Sequence, residues 1–550
     1  SEINGLGQNS FRIFDTTNNP LGGIHMKRRL ILALAIVTLA TLLFGCSQQT
    51  NVTSPVTPAA DSDAKNAAAQ PETSGVKPVL RVLGQNVGFD PNKDIMNQEI
   101  TNITGYTVEY FTLPAENADE KLNIELSSGI SYDIIKMTQS QYYRLVGQGA
   151  LLPLDDLLDK YGPDIKAGVM ESTWEAAKYN GQIYTFPMRK EYTKDVINSI
   201  AVREDILEEL NLQIPATIDE FYETLKAIKK SKPDLIPLTG PFGEGLASPG
   251  TSNWKLSPTI CSAFGIYNEW QDIDGELVPM IKHPRMKECL EFMHQLYEEG
   301  LIDADWPINT TAIINEKFTS GKAVMTLEER GNSAKIIPSL LENFPNAKVG
   351  HILPLIGRNG EQGQNVEDRI LYYTTIPKTA KNPVHATIFL NEKMKPENFT
   401  YLVIGEEGVH YRTTGLSGPA GYEPINPKFS DERSNANWYI NTIDEYKYPD
   451  MWTMRNKKSP FLWEIFEAVS LKCKDIGKPD PIGYMPPSSN VSKYSQTLNK
   501  LANDYYLKVI AGAESLDKYE EFIAQWDASG GSIVAEDINS WYKEYRSKNK

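Results

Sequence analysis

Residues 118–137 read ADEKLNIELSSGISYDIIKM, a helical pattern that leads straight into a strand pattern. Ala118, Leu122 and Leu126 recur every four residues, which places them on one face of a helix. Tyr132–Met137 follows as a short, largely apolar run of the length typical of a buried strand. The stretch therefore predicts a helix packed beside a strand, the repeating unit of an α/β sheet.

The flanking sequence extends this alternation in both directions. Val79–Leu83 predicts an earlier strand, and Gln139–Gln148 predicts a helix after the second strand. The order strand, helix, strand, helix predicts an open, mostly parallel sheet with right-handed crossovers. Ligands of such sheets bind beyond the carboxyl ends of the strands, so Gly84–Asp90 and Thr138–Tyr143 are the first predicted binding loops.

Further helix and turn signals follow along the chain. Thr217 and Glu220 have the spacing of a capping box at the start of a helix. Trp270–Leu277 predicts a hairpin around Asp274-Gly275, and Pro284–Glu299 predicts a helix. Three amphipathic helices are predicted at the end of the chain, with apolar positions within residues 494–509, 519–526 and 538–545.

An export signal begins at Met26, followed by the basic residues 27–29. Leu30–Gly45 is an apolar run without charge, shorter than the roughly 20 residues of a membrane span and typical of a signal peptide. It ends at Leu43–Cys46 (LFGC), which resembles a lipobox, the site at which a bacterial lipoprotein is lipid-modified on cysteine. We therefore predict residues 26–45 as a lipoprotein signal peptide, with lipidation of Cys46.

Two further segments are predicted to lie outside the folded part. Residues 1–25 precede a complete signal peptide, so we expect them to be an extension foreign to the natural product. Residues 46–77 are rich in Ser, Thr, Ala, Pro and Gln and lack a large apolar cluster. Such a segment cannot bury enough surface to offset its ordering entropy, which predicts a disordered tether.

The composition is acidic, with 55 Lys and Arg against 71 Asp and Glu and a net charge of −16. An acidic surface repels nucleic acid and anionic lipid headgroups, which excludes both as expected partners of the folded part. The four cysteines show no Cys-x-x-Cys pair. A Cys261–Cys289 bridge is conceivable, but buried thiols are the preferred interpretation.

Sequence motifs of common enzymes are missing. There is no HExxH, no paired histidines with zinc-ligand spacing, no Gly-x-Ser-x-Gly elbow and no phosphate-binding loop. A pair of catalytic carboxylates, as in a glycosidase, can be neither found nor excluded among so many acidic residues. No cofactor is predicted; a structural calcium at Asp272–Gly275 is left undecided, because the segment lacks the length and terminal Glu of an EF-hand loop.

Several segments together identify a resemblance. The chain resembles the family 1 extracellular solute-binding proteins of ABC importers, in particular the large lipoprotein branch of Gram-positive bacteria that serves oligosaccharide uptake. The resemblance covers Val79–Lys550 and rests on the segments Leu122–Ile135, Trp174–Pro187, Ile200–Phe221, Gly275–Asp303, Glu316–Met325, Gly405–Tyr411 and the C-terminal helices.

The resemblance implies a two-lobed fold like that of type II periplasmic binding proteins. Each lobe is expected to be an open, mostly parallel sheet with helices on both faces, joined to the other by hinge strands, with a helical C-terminal region. By analogy the N-terminal lobe comprises residues 79–197 and about 375–430, and the C-terminal lobe residues 198–374 and about 431–550.

The same resemblance implies the function. A small solute, expected to be an oligosaccharide, binds between the lobes of a monomer on the outer face of the plasma membrane and passes unaltered to the permease subunits of an ABC importer. Two alternatives remain at this point. One is a secreted enzyme that acts on polysaccharides, and the other is a sensor-associated binding protein without a transport role.

Sugar recognition needs flat aromatic faces and planar polar groups. Trp526 and Trp541 lie on apolar helical faces and are predicted to belong to the core. The aromatic residues predicted to contact solute are Trp254, Trp306, Trp438 and Trp452. The polar residues predicted to contact it are Gln85, Asp90, Gln139, Arg189, Glu329, Arg330 and Tyr411. Either arginine could pair with the carboxylate of an acidic sugar.

Overall fold

The structure, a computed structural model, describes residues 75–114, 117–190, 198–240, 257–366, 368–444, 447–486 and 488–548. The predicted upstream extension, signal peptide and lipidation site lie outside these residues, as does nearly all of the predicted tether. Residues 75–548 belong to one compact unit.

Strands are spread along the whole of this unit. They are β1 Leu80–Gly84, β2 Val108–Thr112, β3 Ile134–Met137, β4 Lys178–Tyr179, β5 Gln182–Ile183, β6 Phe186–Lys190, β7 Asn198–Arg203, β8 Ile236–Thr239, β9 Trp270–Ile273, β10 Glu276–Pro279, β11 Ala323–Glu329, β12 Val349–Ile352, β13 Gln364–Val366, β14 Arg369–Thr375, β15 Tyr411–Thr413, β16 Tyr422–Pro424, β17 Ile443–Asp444 and β18 Gly477–Pro479.

Helices surround the strands. The α-helices are Ile95–Thr104, Ala118–Ser127, Gln139–Gly147, Asp155–Tyr161, Pro163–Ala167, Glu171–Ala177, Glu204–Glu209, Ile218–Ser231, Pro258–Cys261, Met286–Glu298, Thr311–Thr319, Arg330–Asn343, Pro383–Met394, Pro396–Ile404, Lys428–Arg433, Ala436–Tyr439, Pro449–Met454, Pro460–Ile465, Ser489–Ile510, Tyr519–Trp526 and Ser532–Lys548. Short 3₁₀ or π turns lie at Ser262–Phe264, Met280–Lys282, Trp306–Ile308, Gly418–Gly421, Arg455–Lys458, Phe466–Leu471, Leu516–Lys518 and Asp527–Gly531.

Six strands form the first sheet, in the order β17-β6-β14-β3-β1-β2. β1 pairs in parallel with both β2 and β3, and β17 pairs in parallel with β6. β14 is antiparallel to its two neighbours β3 and β6, so the other five strands all point the same way. This mixed but mostly parallel sheet brings the carboxyl ends of five strands to one edge.

Four strands form the second sheet, in the order β12-β7-β11-β8. β11 and β8 pair in parallel, while β7 is antiparallel to both β11 and β12. The chain leaves the first sheet after β6, enters the second at β7, and returns from β12 to the first at β14. The two sheets are therefore connected more than once.

Side chains of the first sheet point alternately to its two faces, and each face packs in a different apolar cluster. Leu80 and Val82 pack in one apolar cluster, whereas Leu83 packs in another with Ile135 and Met137. Successive side chains of a strand point to opposite faces, so a strand covered on both sides is apolar at nearly every position. Both faces of the first sheet are thus buried, as an α/β architecture requires.

The C-terminal helices complete the core of the second sheet. Leu498 and Val509 of helix Ser489–Ile510 belong to the same apolar cluster as Ile200 and Val202 of β7. Ile538 of the last helix lies in this cluster as well. The apolar faces of the amphipathic C-terminal helices therefore pack against the second sheet.

Residues 436–454 pack with the first sheet, contrary to the predicted assignment of residues 431–550 to the second lobe. Tyr439, Ile443 and Trp452 belong to a core cluster of the first sheet. The reason is that β17 is the edge strand of this sheet and pairs with β6, so the residues next to β17 pack against the same sheet. Ile465 and Val469, by contrast, pack with Ala201 of β7 in another cluster.

Cys261 and Cys289 are buried, with Sγ atoms 3.8 Å apart. A disulfide bond would need about 2.05 Å, so the two thiols are in contact without being bonded. The described helices include none that combines the length and the apolar character required to cross a bilayer.

Candidate functional site

The site is built at the edge of the first sheet where β1, β3 and β6 end. Polar side chains lie at the end of each of these strands: Gln85 just after β1, Gln139 shortly after β3, and Arg189 as the penultimate residue of β6. The first two were predicted from the rule that ligands bind beyond the carboxyl ends of parallel strands. The structure places all three at this edge.

A cavity of about 670 Å³ opens at this edge. One side comes from the first sheet and its helices, the other from the loop at 484–486 and the last helix. Its volume lies in the range of about 300–1,000 Å³ typical of small-molecule sites. The lining residues are Tyr143, Glu171, Ser172, Glu175, Ala176, Lys178, Arg189, Asp368, Tyr484, Pro486, Trp541, Glu544 and Tyr545.

Arg189 is a buried, charged residue of the cavity wall. It is only 8% exposed, and its Nη2 donates to Oδ1 of Asp368 at 2.8 Å. Its Nη1 donates to the hydroxyl of Thr173 and lies 4.0 Å from Oδ2 of Asp444. Burial by itself lowers the pKa of Arg189, but the neighbouring Tyr484, Asp368 and Asp444 raise it overall. The guanidinium is therefore charged and already paired.

Asp368 receives a second hydrogen bond from the same cavity wall. The Tyr484 hydroxyl donates to Oδ1 of Asp368, and the Arg189 guanidinium lies 5.4 Å from the centre of the Tyr484 ring. Three side chains that are far apart in sequence thus hold one another in fixed positions. A cation over an aromatic face in a partly buried site strengthens such a cluster.

Aromatic rings form the other part of the lining. Trp541 and Tyr545, one helical turn apart on the last helix, stack with ring centroids 4.9 Å apart and an interplanar angle of 22°. Both are half-buried. Flat apolar faces beside hydrogen-bonding groups can hold a polar ring compound against its two kinds of surface.

The remaining described cation of the lining is paired as well. Lys178 contacts the carboxylate of Glu175 three residues earlier, and this hydrogen bond raises the pKa of Lys178. The described lining thus holds the four carboxylates of Glu171, Glu175, Asp368 and Glu544 against two cations.

Gln85 and Trp438 lie together at the end of β1. The Gln85 amide donates to Oε1 of Gln141 at 2.9 Å, and Trp438 Nε1 donates to the backbone oxygen of Gln85 at 3.2 Å. A Cβ on Gly84 would come within 2.7 Å of the Trp438 ring, so only glycine fits there. This half-buried pair lies outside the cavity lining.

The other predicted residues are scattered. Gln139 donates to the backbone oxygen of Met485 at 2.9 Å, beside the loop that lines the cavity. Asp90 is exposed and forms an ion pair with Lys93 at 2.9 Å, which lowers the pKa of Asp90. Glu329 and Arg330 lie at the end of β11, and their side chains are outside what the structure describes; Trp254 lies outside the described residues altogether.

Three predicted contacts are buried in the protein core. Trp306 is 1% exposed, Trp452 5% and Tyr411 8%, and each packs in or beside an apolar cluster. Protein atoms cover the ring faces that a solute would need, so these residues are not retained in the site.

Of the aromatic residues of the cavity, Tyr143 belongs to the predicted binding loop Thr138–Tyr143, whereas Tyr484, Trp541 and Tyr545 were not predicted to contact solute. Trp541 was expected in the core, whereas the structure leaves it half-buried in the lining; Trp526 is core, as expected. The local pattern held no signal for this, because Ile538, Trp541, Tyr542 and Tyr545 have the i, i+3, i+4, i+7 spacing of a single helical face. No group of three metal-ligating side chains occurs among the residues described.

Residues 96–411 match the family described as "Bacterial extracellular solute-binding protein". An uncharacterized protein from the butB 5′ region of Niallia circulans is 38% identical over 256 residues, which are 46% of this chain and 98% of that protein. The polygalacturonan/rhamnogalacturonan-binding protein YtcQ of Bacillus subtilis is 20% identical over 527 residues, 94% of this chain and 99% of that protein.

A solved structure shares the architecture. The substrate-binding protein FusA of S. pneumoniae, in complex with kestose, superposes with a TM-score of 0.67 and 18% identity over 86% of this chain and 100% of that one. At that identity the likeness shows the fold, a two-lobed α/β architecture. The family match spans more than half of the sequence. This chain therefore belongs to the bacterial extracellular solute-binding proteins.

Proposed function

We propose that this protein is the solute-binding component of an ABC importer, which captures an oligosaccharide in the cavity beside Arg189 and Trp541 and passes it on unaltered. The observation that carries the proposal is the cavity of about 670 Å³ between the first sheet and the C-terminal helix. Stacked aromatic rings and fixed polar groups meet there, the combination that a sugar ring requires. The similarity to a protein named for binding polygalacturonan and rhamnogalacturonan supports a carbohydrate.

The two sheets serve, in this proposal, as the cores of two lobes. We assign residues 79–190 and 369–454 to the first lobe and residues 198–366 and 460–548 to the second, following the core clusters rather than the predicted boundaries. The cavity then lies between the first lobe and the C-terminal helix of the second. Closing of the lobes around a solute is the usual way in which such folds bury a ligand.

We further propose that the protein acts as a monomer held outside the plasma membrane by lipid on Cys46. The support is the sequence alone, with a charge-free run of signal-peptide length that ends at a lipobox-like LFGC. Cell fractionation tests it. We expect the wild type in the membrane fraction and Cys46→Ser in the medium or processed differently; membrane retention of an unchanged variant would contradict lipidation.

The binding function is tested with pure protein and a panel of neutral and acidic oligosaccharides of two to six units. A bound solute at 100 times its dissociation constant stabilises the protein by about 2.7 kcal/mol, which raises the melting temperature. Chromatography of the same mixtures measures turnover. We expect a thermal shift with at least one saccharide and unchanged saccharide afterwards; cleavage by catalytic amounts of protein would instead support the enzyme alternative.

The site is tested by Trp541→Ala. We expect the thermal shift to vanish, because the substitution removes the aromatic face from the cavity wall. Trp463→Ala is the matched control, since Trp463 is also half-buried and stacked on a neighbouring ring, Phe466, but lies outside the lining. Equal loss of binding in both variants would show a general effect on folding and not a contact with solute.

A further inference from the structure

We propose that a second saccharide subsite lies at the carboxyl end of β1, where Trp438 and Gln85 receive a further sugar unit of the oligosaccharide that occupies the cavity. This inference rests on the proposed function and adds to it the length of the solute. The second subsite lies at the same edge of the first sheet but outside the cavity lining.

The first argument is that Trp438 is held in place while part of its ring stays exposed. Its Nε1 donates to the backbone oxygen of Gln85 at 3.2 Å, and its backbone oxygen accepts from the ammonium of the buried Lys136 at 3.2 Å. The ring lies against Gly84 and makes an edge-to-face contact with Phe89, with centroids 5.9 Å apart. The indole is nevertheless only half-buried. A preformed, partly exposed aromatic surface suits the apolar side of a sugar ring.

The second argument concerns the hydrogen-bonding capacity of Gln85. Its Nε2 donates to the backbone oxygen of Lys136 at 2.8 Å and to Oε1 of Gln141 at 2.9 Å, which uses both N–H groups of the amide. These two bonds fix the orientation of the side chain. Within the part of the chain that the structure describes, no donor contacts Oε1 of Gln85. The half-buried side chain therefore offers an oriented acceptor for a sugar hydroxyl.

The third argument is the position of this subsite relative to the cavity. The strand order β6-β14-β3-β1 puts three strand spacings, about 14 Å, between Arg189 near the end of β6 and Gln85 after β1. Gln139 lies between them, after β3, and donates to the backbone oxygen of Met485 beside the cavity. A single sugar ring is too small to reach both places, whereas an oligosaccharide can lie along the edge of the sheet.

A solute that contacts both subsites gains affinity although neither contact changes. Once one unit is bound in the cavity, the binding of a second unit of the same molecule is intramolecular. This gain is lost when the chain is too short to span the two places. We therefore expect affinity to rise in a step at the chain length that first reaches Trp438, and to change little beyond it.

Titration calorimetry with homologous series of one to six units tests this step. The series are galacto-oligosaccharides, oligogalacturonides, maltodextrins and inulin-type fructo-oligosaccharides. In a series that binds, we expect the dissociation constant to fall by about tenfold or more at one chain length. A dissociation constant that is already as low for the two-unit sugar as for the longest one overturns the inference and leaves the binding function intact. Absence of binding in every series overturns both.

Trp438→Ala assigns the step to the second subsite. We expect this variant to bind the long sugars about tenfold more weakly and the two-unit sugar as the wild type does, so that the step disappears. Trp438→Phe keeps a flat ring and should restore most of the step. Trp438→Leu keeps apolar bulk against Gly84 without a flat face, so it replaces the alanine variant if that variant does not fold.

Two further variants separate this subsite from the cavity and from general effects on folding. Trp541→Ala should weaken binding at every chain length, because it removes the aromatic face of the cavity. Trp463→Ala, half-buried and outside both subsites, is the control and should change neither the step nor the short-chain affinity. A step that survives in the folded Trp438 variants, or an equal loss of affinity at every chain length, overturns the inference.

Discussion

The surroundings of His283 make the free energy of unfolding depend on pH. The side chain is 9% exposed; its Nδ1 accepts from the backbone N–H of Arg285, and its Nε2 lies 3.4 Å from the amide of Gln271. Burial, with repulsion from Arg285 as a further cause, lowers the pKa of His283 to about 4. Between pH 6.5 and 4 the unfolded chain therefore binds a proton that the folded protein does not bind.

We predict that this histidine removes at most about 3 kcal/mol of unfolding free energy as the pH falls from 6.5 to 4. The change vanishes well above pH 6.5, where the imidazole is neutral in both states. Urea unfolding at a series of pH values measures it. His283→Asn should flatten the profile in this window; parallel profiles for wild type and His283→Asn would contradict the prediction.

Lys136 changes stability in the same direction as His283, but in a higher pH window. It is 3% exposed, its ammonium donates to the backbone oxygens of Trp438 and Ile440, and burial lowers its pKa to about 7. Between pH 7 and 10 the unfolded chain holds the proton and the folded protein does not, so stability rises with pH. We predict a gain of up to about 1.4 kcal/mol per pH unit from pH 7 to 9.

Lys136→Met should reduce this slope and stabilise the protein most at neutral pH, where the buried charge is costly. Unfolding curves at pH 7, 8 and 9 provide the comparison. Lys493→Met, at a position exposed to solvent, serves as the control. A slope that the Lys136 variant leaves intact would refute the assignment.

Among the elements, the helix Ile218–Ser231 begins with the predicted capping box. Thr217 accepts from the backbone N–H of Glu220, and Glu220 accepts from that of Thr217. We predict that Thr217→Ala lowers the unfolding free energy by about 1 kcal/mol. Glu223→Ala, exposed on the same helix, should change it by less than about 0.5 kcal/mol. Denaturant titration measures both, and similar losses would mean that the cap does not stabilise the helix start.

Local patterns predicted most of the elements. The helix at 118, the strand before Thr138, the hairpin with positive φ at Asp274 and Gly275, and the C-terminal helices all occur near their predicted positions. Each depends on residues within one or two turns of each other. The antiparallel insertion of β14 between β3 and β6 could not be predicted, because it depends on pairing across more than 180 residues of sequence.

At the scale of the whole molecule, the C-terminal helices are structural parts of the second core. We predict that a chain ending at residue 487 aggregates or is partly unfolded when expressed. The truncation removes Leu498, Tyr506, Val509 and Ile538, and the apolar residues of the second core that they cover would become exposed to solvent. Dye binding and limited proteolysis measure this. A truncation of residues 549–550 is the control, and a compact, soluble truncation at 487 would contradict the prediction.

The candidate site could be predicted only in part for the same reason. The rule for parallel sheets pointed to Gln85 and Gln139, which the structure places at the edge where β1 and β3 end. Asp368, Tyr484 and Trp541 come from distant parts of the chain, and nothing in their neighbouring residues indicates that they meet there. Loop surroundings favoured Trp452, which the first core buries. Exposure depends on tertiary packing that the local sequence does not specify.

The pairing of Arg189 with Asp368 and Asp444 joins the points at which the chain leaves and re-enters the first sheet. Arg189 precedes the passage from β6 to β7, Asp368 precedes β14, and Asp444 ends β17. One guanidinium therefore links β6 with β17 and with the residue before β14. If the two proposed lobes rotate relative to each other, we expect the rotation to be centred near this cluster. A solute in contact with Tyr484 would then touch a residue that is hydrogen-bonded to the same cluster.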